Sequence, residues 1–168
     1  MILTTPAQRL NLLARSRTVA VVGASANPQR PSYFVFRYLH TQGRLDVTPI
    51  NPTLHDIDGV PAYPTLAAYA AERGAPDIVD VFRRPGEALA VAREAVAVRA
   101  RAIWFQYGVT NPDAIAVADA AGLDVVVDRC IKVESARFDG GLAAGGFDSG
   151  IVSARRVPPL PSRGAPAR

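Results

Sequence analysis

One short loop carries residue types that suit a phosphate-bearing ligand. Gly23 directly follows an apolar stretch and permits a tight turn with close backbone approach. Beside it stand Ala24 and Ser25, whose hydroxyl can form hydrogen bonds, and Arg30 adds a mobile cation. We expect Ser32 to cap the next helix, whose free N–H groups and dipole favour an anion. These residues suit a diphosphate, but the loop matches neither GxGxxG nor GxxxxGK[ST], so a plain turn is the alternative.

A second loop is informative by the residue type that it lacks. Dinucleotide-binding domains usually place Asp or Glu after their second strand, where it grips a ribose hydroxyl. This chain has Asn51 and Pro52 there instead. The Asn51 amide can donate and accept hydrogen bonds, and Pro52 can form a wall for adenine. An ordinary Asn-Pro turn is the alternative.

The third and fourth apolar stretches also end in residues that could reach a ligand. Phe82 could pack on a base or a ribose, and Arg83 and Arg84 follow it, where a phosphate would attract them. A solvated arginine pair before a helix is the alternative. Gln106 ends the fourth stretch and could line the same pocket, whereas Trp104 is expected in the core.

The remaining reactive side chains form no recognisable catalytic or metal-binding pattern. His40 and His55 are far apart and have no partner at metal or triad spacing, so surface or capping roles are expected. Cys130 is a candidate nucleophile, because Arg129 and a following helix N-terminus would both lower its thiol pKa. A buried structural thiol is the alternative. We therefore expect no catalytic residues, no metal and no enzymatic activity.

These residues must be positioned by alternating strands and helices. The strands are short and apolar, as in parallel sheets that are buried on both faces. The sequence predicts a Rossmann-like, doubly wound, parallel five-stranded α/β sheet with strand order 3-2-1-4-5, and a ligand site where the order reverses, between the first and fourth strands. The predicted strands are 18–22, 46–50, 77–82, 102–105 and 124–127, and the predicted helices are 5–16, 32–41, 65–73, 85–99, 111–122 and 129–137.

Length and composition fit one domain with a tail. The chain has 168 residues, of which 49% are hydrophobic, enough for a core without disulfides. We assign 1–138 to the domain. Residues 139–168 are rich in Gly, Ala, Pro and Arg, a composition that predicts a mobile low-complexity tail.

Charge and cysteine content exclude several classes of function. The net charge of +4 is split evenly between 1–138 and 139–168, and no basic stripe with aromatic residues occurs, so nucleic-acid binding is not expected. No secretory signal and no run of about 18 apolar residues is present, so membrane association is not expected either. A single cysteine excludes an intramolecular disulfide and favours a reducing, cytoplasmic location.

The loops in combination resemble a known family, the small stand-alone CoA-binding proteins. These share their fold with the N-terminal CoA-binding domain of the succinyl-CoA synthetase alpha subunit. The matching stretches are VAVVGAS at 19–25, RPSY at 30–33, PINP at 49–52, DIVDVFRRP at 77–85, WFQYGV at 104–109 and DVVVDRCIKVE at 124–134. The likeness covers roughly 5–138. It implies a domain that holds CoA through the first three loops, and it implies no reaction, because the active-site histidine and further domains of the synthetase have no counterpart here.

The sequence therefore predicts a non-catalytic protein whose small-molecule ligand is CoA or an acyl-CoA. An NAD(P)-binding or redox-sensing Rossmann module is the main alternative, disfavoured by the missing carboxylate after the second strand. A component of an acyl-CoA enzyme, or a scaffold for an unidentified protein partner, is a further alternative.

Overall fold

The computed structural model of the protein describes residues 1–139. Its strands are β1 (Thr18–Val22), β2 (Asp46–Ile50), β3 (Asp56–Ile57), β4 (Val60–Pro61), β5 (Ile78–Val81), β6 (Ala102–Phe105) and β7 (Asp124–Val126). Its helices are α1 (Pro6–Arg15), α2 (Pro31–Gln42), α3 (Leu66–Arg73), α4 (Ala88–Ala97), preceded by a 3-10 turn at Pro85–Glu87, α5 (Pro112–Ala120) and α6 (Ile131–Asp139). The predicted alternation is confirmed, and the short β3–β4 hairpin was not anticipated.

Local sequence signals set most helix ends. Thr5 caps α1, since its hydroxyl accepts a hydrogen bond from the Gln8 N–H while the Gln8 side chain accepts one from the Thr5 N–H. Gly43 ends α2 in the left-handed region with φ 65°, which a residue without Cβ adopts at little cost. Asn111 caps α5 by accepting a hydrogen bond from the Ala114 N–H.

The five-stranded parallel sheet confirms the predicted fold class, but the predicted strand order is wrong. The observed order is β2-β1-β5-β6-β7, so the third long strand, β5, pairs with β1 and not with β2. Pro49 supplies the physical reason, because it has no N–H to donate and proline is therefore confined to edge strands. The predicted order would have placed β2 in the interior of the sheet.

Helices cover the two faces of the sheet and form two apolar layers. Helices α3, α4 and α5 pack on the face that displays Val22 and Val81, and α1, α2 and α6 pack on the face that displays Val21 and Trp104. The inner strands are buried, apart from half-buried Thr18 at the start of β1, because both of their faces are covered. None of the helices within residues 1–139 combines the length and the apolar character that a membrane span requires.

A buried ion pair joins the first and last helices. The Arg9 Nε donates a hydrogen bond to the Glu134 carboxylate over 2.8 Å, and both side chains are almost fully buried. A second guanidinium nitrogen of Arg9 donates to the Thr4 carbonyl. The domain boundary predicted at 138 stays a prediction, and the described helix α6 runs to Asp139. The tail predicted to be mobile, 139–168, lies outside the described residues except for Asp139.

Gly23 lies where β1 and β5 end in close contact. Its φ is 84°, and a Cβ added to it would lie 2.1 Å from the Phe82 carbonyl oxygen. The N–H of Phe82 donates to the Val22 carbonyl over 2.8 Å, so the two backbones are held at this distance. Only a residue without a side chain fits here.

We expect Gly23→Ala to destabilise the domain much more than Gly43→Ala. Both positions have positive φ, which costs an alanine about 1–2 kcal/mol. Gly43 has nothing within 4 Å of an added Cβ, whereas Gly23 meets backbone. Urea unfolding of both variants measures the difference. Equal losses of stability would show that the contact with Phe82 is easily relieved.

Candidate functional site

The strand order reverses between β1 and β5, so the crevice at the carboxyl edge of the sheet opens there. The sequence placed this point between the first and fourth strands, and the observed order moves it by one strand. The Gly23 N–H donates to the Ile50 carbonyl over 3.1 Å, and Phe82 pairs with Val22. The structure thus brings the first three predicted loops together at one edge.

Asn51 holds the first and second loops together. Its Nδ2 donates to the buried Ala24 carbonyl over 2.8 Å, and its Oδ1 accepts hydrogen bonds from the Thr53 N–H and hydroxyl. The side-chain amide is therefore engaged within the protein. The neighbouring Pro52 is exposed. Asn51 positions the loop, and its predicted contact with a ligand stays a prediction.

The first turn of α2 differs from the prediction. Arg30, and not Ser32, is the N-cap, and no side chain caps the helix. Pro31 explains the shift, because its fixed φ suits the first helical position, so the N-cap is the residue before it, Arg30. Ser32 is the second residue of the helix and only 5% exposed. Ser25 accepts a hydrogen bond from the Asn27 N–H, which folds the preceding loop into a compact turn.

Cations gather around the crevice. Arg30 is exposed, and the side chain of Arg83 passes Gly23, with its Cδ 3.3 Å from an added Cβ. Within residues 1–139, neither guanidinium forms a hydrogen bond or an ion pair. Arg84 is exposed before the turn that leads to α4, and Phe82 is half-buried against the α2 side of the core. The edge thus offers positive charge beside a partly accessible aromatic ring.

A buried carboxyl group that sequence reasoning missed lies beneath this edge. Asp80 in β5 is fully buried, and its Oδ1 accepts a hydrogen bond from Gln106 Nε2 over 2.6 Å. Its Oδ2 has no hydrogen-bond partner among the described residues. Burial raises the pKa of Asp80 to about 7, against the lowering effect of the Gln106 hydrogen bond. An acid in the middle of the apolar stretch DIVDVF was the available signal.

Gln106 was predicted to line the pocket. It is only 4% exposed, and its amide nitrogen is bound to Asp80. Trp104, expected in the core, is fully buried there and donates its indole N–H to the Arg129 carbonyl over 2.7 Å. Gln106 thus stabilises the base of the edge, and its predicted contact with a ligand stays a prediction.

Cys130 is half-buried at the start of α6, and the expected lowering of its pKa is wrong. Burial raises the pKa of the Cys130 thiol, and hydrogen bonds from the N–H groups of Val133 and Lys132 offset only part of that effect. The guanidinium of Arg129 turns to the Asp128 carbonyl instead. Cys130 is therefore a neutral thiol, and its burial has more effect on its pKa than the neighbouring helix start.

The histidines lie apart from one another. His40 is exposed and stacks on Phe36 with ring centroids 5.8 Å apart, and His55 is an exposed residue before β3. No group of three or more potential metal-binding side chains occurs within residues 1–139.

A groove between α2 and α6 opens beside the first loop, and sequence reasoning did not foresee it. Its volume is about 380 Å³. Phe34, which is 55% exposed, forms part of its α2 wall. The lining residues are Gln29, Pro31, Phe34, Val35, Cys130, Lys132, Val133 and Ala136. A smaller hollow of about 210 Å³ adjoins Gly43 at the opposite end of α2, away from the loops.

We expect the stability of the protein to fall between pH 4 and pH 7 through Asp80. The native carboxyl group keeps its proton up to about pH 7, whereas the unfolded chain releases it near pH 4, so raising the pH favours unfolding. Asp80→Asn removes this titration. Relative to wild type, the variant should therefore gain about 2–3 kcal/mol between pH 5 and pH 8.

Urea unfolding at the two pH values measures this gain. Glu94→Gln, at an exposed position on α4, is the control and should change stability by less than about 0.5 kcal/mol. Parallel pH profiles for wild type and Asp80→Asn would contradict the assignment.

Known proteins share both the sequence pattern and the fold. The family model of the CoA binding domain matches residues 17–136. The uncharacterized protein YneT of Bacillus subtilis (strain 168) is 37% identical over 125 residues, which cover 74% of this chain and 90% of the relative.

Solved structures agree with this result. A hypothetical protein from Pyrococcus horikoshii OT3 is 33% identical, with a TM-score of 0.75, over 82% of this chain and 94% of that one. An acetyl-coenzyme A synthetase of Candidatus Korarchaeum cryptofilum shares the fold alone, at 22% identity and a TM-score of 0.55, over 64% of this chain and 25% of that one. The resemblance noted from the sequence is confirmed, and the chain belongs to the CoA binding domain family.

Proposed function

We propose that the protein binds coenzyme A, free or acylated, at the edge where β1, β2 and β5 end, and that it holds this ligand without turning it over. Membership of the CoA binding domain family supports the choice of ligand. The proposed position of the ligand rests on the reversal of strand order between β1 and β5. Arg30 and Arg83, in the loops after these two strands, have no ion-pair partner within the described residues. A CoA molecule brings the phosphates that would compensate their charges.

The first loop and the start of α2 fit the diphosphate. Gly23 brings backbone close to the crevice, and no side chain caps α2. Ser32 offers the first N–H of this helix, because Pro31 has none and the Tyr33 N–H donates to the Arg30 carbonyl. Arg30 and Arg83 would bind phosphate oxygens through charge-assisted hydrogen bonds. Exposed Pro52 and half-buried Phe82 would flank the adenosine.

The second loop favours CoA over the dinucleotide alternative. The residue after β2 is Asn51, so no carboxylate is present there to bind a ribose hydroxyl pair. The Asn51 amide is itself already bound to Ala24 and Thr53. An NAD(P)-binding module is therefore the weaker candidate.

The groups at the edge support holding rather than catalysis. The backbone N–H groups, guanidinium groups and amides at the crevice bind and orient a nucleotide, but they neither activate a nucleophile nor accept a proton, and the Asp80 carboxyl group is buried beneath them. The proposed role is thus to sequester or present the coenzyme.

We expect CoA to bind, and NAD(H) to bind at least about tenfold more weakly because the ribose-binding carboxylate is missing. Isothermal calorimetry of the purified protein with each ligand makes the comparison. Equal affinities, or a preference for NAD(H), would contradict the proposal and favour the dinucleotide alternative.

We expect Arg30→Ala and Arg83→Ala each to weaken CoA binding by roughly tenfold or more, because a charge-assisted phosphate contact contributes about 1.5–3 kcal/mol. The melting temperature should change little, since neither side chain is paired within residues 1–139. Arg93→Ala, an exposed position on α4, is the matched control and should leave affinity unaltered. Wild-type affinity in both edge variants would place the phosphates elsewhere.

A further inference from the structure

We propose that the groove between α2 and α6 receives the sulfhydryl end of the bound coenzyme, and that Cys130 exchanges there with a disulfide of CoA to give a protein–CoA mixed disulfide. This inference rests on the proposed function, because the first loop must hold the nucleotide end.

The groove begins where the proposed diphosphate site ends. Gln29 and Pro31 line it, and they flank Arg30 in the sequence. A ligand with its phosphates at Arg30 can therefore continue along α2 without leaving the surface. Cys130, the single cysteine of the chain, also lines the groove, just before α6 begins.

The walls of the groove match the arm of the coenzyme. Phe34 and Val35 on α2 face Val133 and Ala136 on α6, which gives apolar contact for the methyl and methylene groups of pantetheine. Gln29 adds an amide that can pair with the amides of the arm. A volume of about 380 Å³ accommodates a part of the ligand, while the nucleotide remains at the edge.

Asp80 does not line the groove, but its charge affects Cys130 from within the sheet. Ile78, two residues earlier in β5, packs in the α2–α6 layer, so the alternation of the strand places Asp80 on the face against which Cys130 also packs. Its Oδ2 is buried without a partner among the described residues. Its charge also contributes to the raised pKa of Cys130. The Asp80 charge thus acts on the only thiol of the protein from a distance, because no hydrogen bond joins the two groups.

The exchange balances with the CoA disulfide as the oxidant. Cys130 gives its proton to water, and the resulting thiolate attacks one sulfur of the CoA disulfide. A bond forms between Cys130 and that CoA, the original S–S bond breaks, and the second CoA leaves as a thiolate that takes a proton from water. One disulfide is consumed and one is formed.

The test incubates the reduced full chain with CoA disulfide at neutral pH and follows intact mass. We expect a gain of one CoA that dithiothreitol removes and that Cys130→Ser abolishes. The rate should exceed that with cystamine, a disulfide without a nucleotide, by at least tenfold. Saturating adenosine 3′,5′-bisphosphate, which occupies the nucleotide site, should slow it at least fivefold.

Variants of the groove and of Asp80 sharpen the result. Ala136→Phe fills the groove and should slow the exchange at least tenfold, with adenosine 3′,5′-bisphosphate affinity retained. Ala116→Phe, at an exposed position on α5, is the matched control. Asp80→Asn removes a charge that raises the pKa of Cys130 and should speed the exchange. A slower reaction would show that the Asp80 charge does not suppress the thiolate.

Binding of reduced CoA to Cys130→Ser separates the two proposals. If this variant binds CoA while the wild-type protein forms no adduct until denatured, the inference is wrong and the proposed function stands. If wild type and variant both fail to bind CoA, both proposals fall. Equal rates with CoA disulfide and cystamine would show an accessible thiol without recognition, and would also overturn the inference.

Discussion

The close approach of two strand ends at Gly23 sets the geometry of the whole carboxyl edge. Gly23 has no side chain, so the Phe82 carbonyl oxygen can occupy the space that a Cβ would need. The strands β1 and β5 therefore end side by side, and the crevice opens between their loops. The first loop then lies near enough to the second for Asn51 to bind the Ala24 carbonyl. The loops that carry Arg30 and Arg83 are thus brought together by a backbone contact.

The sequence contained most of the fold, because the signals for its elements are local. Apolar runs, a threonine cap and a glycine stop predicted the strands and helices within a few residues. The order of the strands depends on which edges can donate hydrogen bonds, and Pro49 in β2 carried that information. Ser32 was misplaced for a related reason, since Pro31 determines where α2 begins.

The site was less predictable, because its side chains are engaged by partners that are distant in sequence. Gln106 binds Asp80 across 26 residues, and Asn51 binds Ala24 across 27. The pKa of Cys130 depends on how deeply the contact of α6 with the core buries the thiol, so the adjacent arginine was a poor guide. The groove arises from the packing of α2 beside α6, which no local pattern encodes.

The ion pair between Arg9 and Glu134 bears on how the chain folds as it is synthesised. The two residues are 125 positions apart, so the buried guanidinium has no carboxylate partner until α6 has left the ribosome. A nascent chain that still lacks α6 therefore holds α1 without this ion pair. A shortened translation product that ends before Glu134 would lack the same pair and would expose the apolar surface that α6 covers.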